Sequence, residues 1–213
     1  MFGECVLPEA PVRAVEDVDT GVSERHQPAF QLLRRAGDLR LVLIGLPLRD
    51  AEDDGIIWAA DNGADAINMS WGGGGVSTYG QNVCNYAWNA GVILIAAAGN
   101  DNVSTIFYPA GYQNVIGVGS VDGNDLKSSF SNYNAGLFAW VDIASPGGYT
   151  FGGLLSTVYT SSGDSYAKFG GTSMAAPFAA GLVGLMLSVN PSKTPTEILD
   201  CLISSGVDIN QNI

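Results

Sequence analysis

Phe169-Gly170-Gly171-Thr172-Ser173-Met174-Ala175-Ala176-Pro177 governs the interpretation of this chain. Its two glycines make a tight turn, and the uncharged apolar run 174–189 begins directly behind Ser173. The pattern predicts a strand-to-helix turn and a helix over 173–189. Ser173 then stands at the positive end of a helix dipole, where the first backbone N–H groups have no partner within the helix. Such a place suits a nucleophile whose attack creates an oxyanion. It also suits an ordinary helix-capping serine. The run 174–189 is apolar enough to suggest a membrane span. It is shorter than the roughly 20 residues a span requires, however, and Pro177, Gly181 and Gly184 interrupt it. A central helix, hydrophobic all round and buried, is the expectation.

On either side of this turn, the chain beyond residue 56 is regular. Segments 65–70 (DAINMS), 92–98 (VILIAAA) and 115–121 (VIGVGSV) are β-rich with little alternation. Strands buried on both faces of a parallel sheet read this way. Residues 41–46 (LVLIGL) are a further candidate. Helices are predicted over 53–62, 79–90 and 196–204, the last between Pro195-Thr196 and Gly206. Alternating strands and helices predict an α/β fold, a doubly wound and mostly parallel sheet flanked by helices on both faces. Ligands of such sheets bind beyond the carboxyl ends of the strands. Ser70-Trp71-Gly72-Gly73, Gly99-Asn100-Asp101 and the turn before Ser173 all fall there.

Composition narrows the function. A chain of 213 residues suits one domain. A net charge of −12 argues against nucleic acid and anionic membranes as partners. Cys5, Cys84 and Cys201 allow at most one disulfide and read as small buried apolar residues. No Cys/His cluster suggests zinc. Gly72-Gly73-Gly74-Gly75 is no phosphate loop, because no Gly-Lys-Ser/Thr follows; a flexible loop is the plain reading. Asp122-Gly123-Asn124-Asp125 reads as a turn, since the further acidic ligands of a calcium loop are missing. The start MFGECVLPEAP has neither basic residues nor an apolar run, and so is no signal peptide as written.

The chain divides near residue 56. Arg13, Arg25, Arg34, Arg35, Arg40 and Arg49 all precede it, and Lys127, Lys168 and Lys193 all follow it. Asn first occurs at Asn62 and Tyr at Tyr79. Two segments are expected: an atypical 1–55, of fused, frameshifted or divergent origin, and a domain over 56–213.

The string GTSMAAP (171–177) resembles the serine motif of the subtilisin-like serine proteases, the subtilases. AAAGND (96–101) resembles the oxyanion-asparagine segment of that family, and the Asn100 carboxamide can donate an N–H to a developing oxyanion. INMSWGG (67–73) resembles the segment whose backbone pairs with an extended substrate. The resemblance implies that Ser70, Trp71 and Gly72, with Ala97, Ala98 and Gly99, bind the residues before the scissile bond. Tyr108-Pro109-Ala110 resembles the family's YPA segment, and Pro109 is a candidate for a cis peptide bond. By resemblance the fold is the three-layer subtilisin type, the substrate a polypeptide, the molecule a monomer and its location extracellular. Calcium is the cofactor the family suggests; the sequence itself makes none evident.

The resemblance weakens toward the start. Asp19-Thr20-Gly21 matches the family's acid motif, and His26 and Pro28 follow it at family spacing, with Gln27 inserted. Yet Glu16 and Asp17 fall where an apolar strand is expected. His26, the only histidine, matches a non-catalytic position, and the family's His-Gly-Thr-His base motif is absent. Phe178 stands where the family often has His, and the family usually continues beyond the last helix. The resemblance covers 41–213 well and 19–28 faintly. The expectation is the serine-bearing part of a subtilisin-like endopeptidase. Ser173 is its nucleophile and Asn100 its oxyanion donor; Asp19 and His26 are the candidates for acid and base. Activity is expected to be weak or absent without the base motif. The alternative is a non-catalytic module that binds extended peptides along 70–73.

Overall fold

The computed structural model describes residues 29–34, 40–45, 49–136, 138–148, 152–160 and 163–209. Asp19 and His26 lie outside them. The elements in chain order are β1 (Ala29–Arg34), β2 (Arg40–Gly45), α1 (Arg49–Asp61), β3 (Ala66–Met69), α2 (Thr78–Asn89), β4 (Ile93–Ala97), β5 (Ile116–Val121), β6 (Ile143–Pro146), β7 (Leu154–Thr160), β8 (Gly163–Phe169), α3 (Thr172–Val189) and α4 (Pro195–Ser205).

Strands β1 to β6 form one sheet in sequential order. Only the β1–β2 pair is antiparallel; the remaining pairs are parallel. Every residue of β3, β4 and β5 is buried, as their unbroken apolar runs require. Alternate residues serve opposite faces. Ile67, Met69, Leu94 and Ala96 pack with Ile56 of α1 and Val83 of α2. Ala66, Ile93, Ile95 and Val118 pack on α3 and α4 on the other side. The result is a three-layer α/β fold. The small residues Ala175, Ala176, Ala179 and Ala180 form the face of α3 that meets the sheet.

The helices start where local chemistry dictates. Ser77 caps α2 by accepting from the Gly80 N–H. Thr194 and Glu197 form a reciprocal capping box at α4. Besides the antiparallel strand β1, two features were not foreseen from the sequence. β6 is one, with its residues only half-buried. The other is the hairpin β7–β8, a separate two-stranded sheet that pairs Leu154 with Phe169. Its alternation is blurred by Ser, Thr and Tyr on exposed faces. The hairpin delivers the chain directly to Gly170-Gly171.

The structure corrects one expectation about α3. The helix is not enclosed on all sides by the described residues. Its Ala-rich face is buried, whereas Phe178 is 52% exposed and Val189 51%. The uncovered face, together with the hairpin, lines a groove of about 670 Å³.

Candidate active site

Ser173 is the second residue of α3, and the N-cap is Gly171, so Ser173 is not the capping serine. Gly171 has φ 154°, and a Cβ built on it would stand 3.6 Å from Asn100 Oδ1. The contact is an ordinary one, so it is the backbone angle that favours glycine there. The Gly171 carbonyl accepts from the Met174 and Ala175 N–H groups. No described residue accepts from the Ser173 N–H, as the first turn of a helix leads one to expect.

Asn100 follows β4 through Gly99, whose φ is 99°. Its carboxamide oxygen is held from α3. The Thr172 N–H donates to Asn100 Oδ1 at 2.8 Å, and Thr172 Oγ1 donates to it at 3.1 Å. Thr172 Oγ1 in turn accepts from the buried Gly99 N–H at 3.0 Å. With its oxygen end so fixed, the carboxamide must turn its NH₂ outward. That NH₂ lies on the same side of Gly171 as the Ser173 N–H. A methyl group on Gly171 would lie 3.7 Å from both nitrogens. Thr172 escaped the sequence reading; its only signal was its place beside the serine.

Ser70 follows β3 directly and meets Ser173 across 103 residues of chain. The contact is reciprocal: Ser70 Oγ donates to the Ser173 carbonyl at 2.9 Å, and Ser173 Oγ donates to the Ser70 carbonyl at 3.2 Å. Asn68 Nδ2 supports the pair by donating to Ser70 Oγ at 2.9 Å. Among the described residues, no imidazole or carboxylate hydrogen-bonds to Ser173 Oγ. The groove along α3 opens beside Ser173, with Met174, Pro177, Phe178, Leu154 and Phe169 in its walls.

The other predicted residues fall around this centre. Trp71 is half-buried and packs against the core beneath α1 and α2. Gly72 is tightly enclosed, since a Cβ there would meet the Tyr108 carbonyl and the Phe107 ring, each at 2.4 Å. Gly73 and Tyr108 exchange two backbone hydrogen bonds of 2.8 and 2.9 Å. The first part of the Gly-rich run is thus clamped rather than loose, and the Tyr108–Pro109 bond is cis. Ala97, Ala98 and Gly99 are brought to the same end of the sheet, but all three are buried, with the alanine side chains in the two cores.

Cys84 is a buried free thiol, pushed up to about 12 by its burial and then by the nearby Asp53 charge. Among the described residues no group of three or more His, Cys, Asp or Glu could hold a metal ion. Asp122 Oδ1 accepts from the Asn124 and Leu126 N–H groups and closes its turn. This is the turn expected of 122–125.

Comparison with known proteins places this geometry. The profile of the Subtilase family matches residues 47–212. The chain is 48% identical over 135 residues to the thermophilic serine proteinase of Bacillus sp. (strain AK1), covering 63% of this chain and 31% of that protein. It is 46% identical over 156 residues to the halolysin-like extracellular serine protease Nep of Natrialba magadii, covering 73% of this chain and 27% of that protein. A solved protease from Pseudoalteromonas arctica superposes with a TM-score of 0.72 at 36% identity, covering 79% of this chain and 56% of that one. This chain therefore spans well under two thirds of the length of these relatives.

Proposed function

We propose, since this chain belongs to the subtilase family, that it carries the nucleophile and oxyanion side of a serine endopeptidase site. That site cleaves peptide bonds through an acyl-enzyme. The observation that carries this reading is that Thr172 holds Asn100 Oδ1 next to Ser173, leaving the Asn100 NH₂ and the Ser173 N–H as two donors on the same side of Gly171. Ser173 Oγ attacks the scissile carbonyl, and the oxygen that gains charge settles between these two donors. Because Thr172 already holds Asn100, no reorganisation is needed when the charge develops. An extended polypeptide pairs with the backbone at 70–72, and the chain works outside the cell, as the name of the halolysin-like relative suggests.

The proton of Ser173 needs an acceptor within hydrogen-bond reach. His26 is the sole histidine of the sequence. β1 begins at Ala29, opposite Gly45, and so at the end of the sheet that carries Ser70. His26 precedes Ala29 by three residues in sequence. We assign His26 as the chain's own candidate base, with Asp19 to orient it. Turnover is expected to be weak, because the 213 residues contain no His-Gly-Thr-His motif. A binding module without chemistry gains no support, as the relatives are serine proteinases by name.

The test is intact mass after treatment with a phosphonyl fluoride, for the wild-type chain and Ser173→Ala. We expect one adduct that the substitution abolishes. A folded wild-type chain that takes no adduct would show that Ser173 is not activated in this polypeptide. If an adduct forms, His26→Ala should slow it; an unchanged rate would remove His26 from the mechanism.

A further inference from the structure

We infer that Asn132, far from the serine motif in sequence, is a positioning residue for Asn100. The inference rests on Asn100 being the oxyanion donor proposed above. Asn132 is completely buried. Its side chain and backbone clasp the segment that bears Asn100 on both sides. Ahead of Asn100, Asn132 Nδ2 donates to the Ala98 carbonyl at 2.8 Å, and the Asn132 N–H donates to the Gly99 carbonyl at 3.0 Å. Beyond Asn100, the Asp101 and Val103 N–H groups both donate to Asn132 Oδ1, at 3.0 and 3.2 Å.

Neighbouring residues extend the clasp. The Asn102 N–H donates to the Phe130 carbonyl at 2.8 Å, and the Tyr133 N–H donates to the Val103 carbonyl at 3.1 Å. Lys127 Nζ donates to Asn102 Oδ1 at 2.9 Å and to the Ser131 carbonyl at 3.1 Å. Residues 98, 99, 101, 102 and 103 are thus tied to the loop 127–133. The Asn100 carboxamide is held from the other side, by Thr172, which also accepts from the Gly99 N–H. The carboxamide that must meet the oxyanion therefore hangs between two fixed supports.

The chemistry requires asparagine at 132. One side chain must donate to a carbonyl and accept two N–H groups at once, while fully buried. Aspartate keeps the acceptors but sets a negative oxygen against the Ala98 carbonyl. Alanine leaves the Ala98 carbonyl and the Asp101 and Val103 N–H groups without their partner. Close packing adds a second constraint. A Cβ on Gly99 would lie 2.4 Å from Asn132 Nδ2, so the carboxamide rests directly on the Gly99 backbone. Any other side chain at 132 shifts Gly99, and Asn100 with it.

The experiment is a double-mutant cycle on the full chain, read as the rate constant of Ser173 phosphonylation by a phosphonyl fluoride. Asn132→Ala should slow the reaction on the order of 10-fold or more, the scale of a misplaced catalytic group. In the Asn100→Ala background it should slow it no further. Should Asn132→Ala not fold, Asn132→Asp is the milder variant, with a smaller loss and the same non-additivity. An unchanged rate, or a full extra loss without Asn100, would overturn the inference. If the wild-type chain takes no phosphonyl group, the proposed activity fails. The positioning is then decided by the side-chain NH₂ resonances of Asn100 in the ¹⁵N-labelled protein, identified by their absence in Asn100→Ala. Their displacement in the Asn132 variants supports the inference, and unmoved resonances refute it.

Discussion

Asn100 owes its usefulness to what occupies its oxygen. A free carboxamide can present either end to a substrate, and only the NH₂ end stabilises negative charge. Two bonds from Thr172 remove that ambiguity. Asn100→Ala should therefore slow phosphonylation of Ser173 by on the order of 10²–10³, the cost of losing one oxyanion donor, a figure that comes from subtilisin itself. Stopped-flow or quenched mass measurements read this directly. A rate within a factor of two of wild type would take Asn100 out of the site. Asn100→Asp should fare no better, since an ionised carboxylate only accepts. Thr172→Val tests the support: it deletes the hydroxyl that donates to Asn100 and leaves the buried Gly99 N–H without its acceptor. It should lower both the phosphonylation rate and the melting temperature, and a variant that loses neither would contradict this geometry.

Elements bring these residues together because each ends at the same edge of the sheet. β3 ends in Met69 before Ser70, β4 in Ala97 before Asn100, and the hairpin β7–β8 runs into α3 at Ser173. Their pairing is enforced by close backbone approach. At Gly72 no side chain has room, so Gly72→Ala should break the Gly73–Tyr108 exchange and cost about 1–3 kcal/mol in overpacking. Urea denaturation checks this, and a variant as stable as wild type would show that residues 70–73 are held loosely. On the opposite face, α4 locks α3 through Ile198, which is fully buried. Ile198→Ala should cost about 2–5 kcal/mol, read in the same experiment.

At the scale of the molecule, the three layers leave one carboxyl in a strained setting. Asp142 lies beside β6, accepts from the Gly117 N–H at 2.8 Å, and is raised from 3.8 to about 6. Burial is the larger cause, and the Gly117 bond opposes it. The folded state thus holds a proton that the unfolded state has released over this interval. Its contribution to stability is complete below about 3.8 and is lost as the pH rises through about 6. Asp142→Asn keeps an acceptor for Gly117 and cannot ionise. It should raise the melting temperature at pH 7 and leave it nearly unchanged at pH 4. Parallel melting curves for the two proteins across that range would refute the assignment.

Strands β3, β4 and β5 and helices α2, α3 and α4 were legible in advance, because burial on both faces demands unbroken apolar runs and helix ends demand capping residues. Ser173 and Asn100 were singled out by the chemistry of their side chains and the strings around them, and the fold brings both against Thr172. β6 and the hairpin were not, because half-exposed strands carry no strong period. The uncovered face of α3 was equally hidden, since an apolar sequence says nothing of what packs against it. Thr172 and Asn132 show the limit most clearly. A buried threonine or asparagine has no signature of its own. Each acquires meaning from the carbonyl and N–H groups that the fold brings to it across 73 and 34 residues of chain. Local strings specify which groups can do chemistry; the long-range hydrogen bonds that aim them exist only once the sheet has closed.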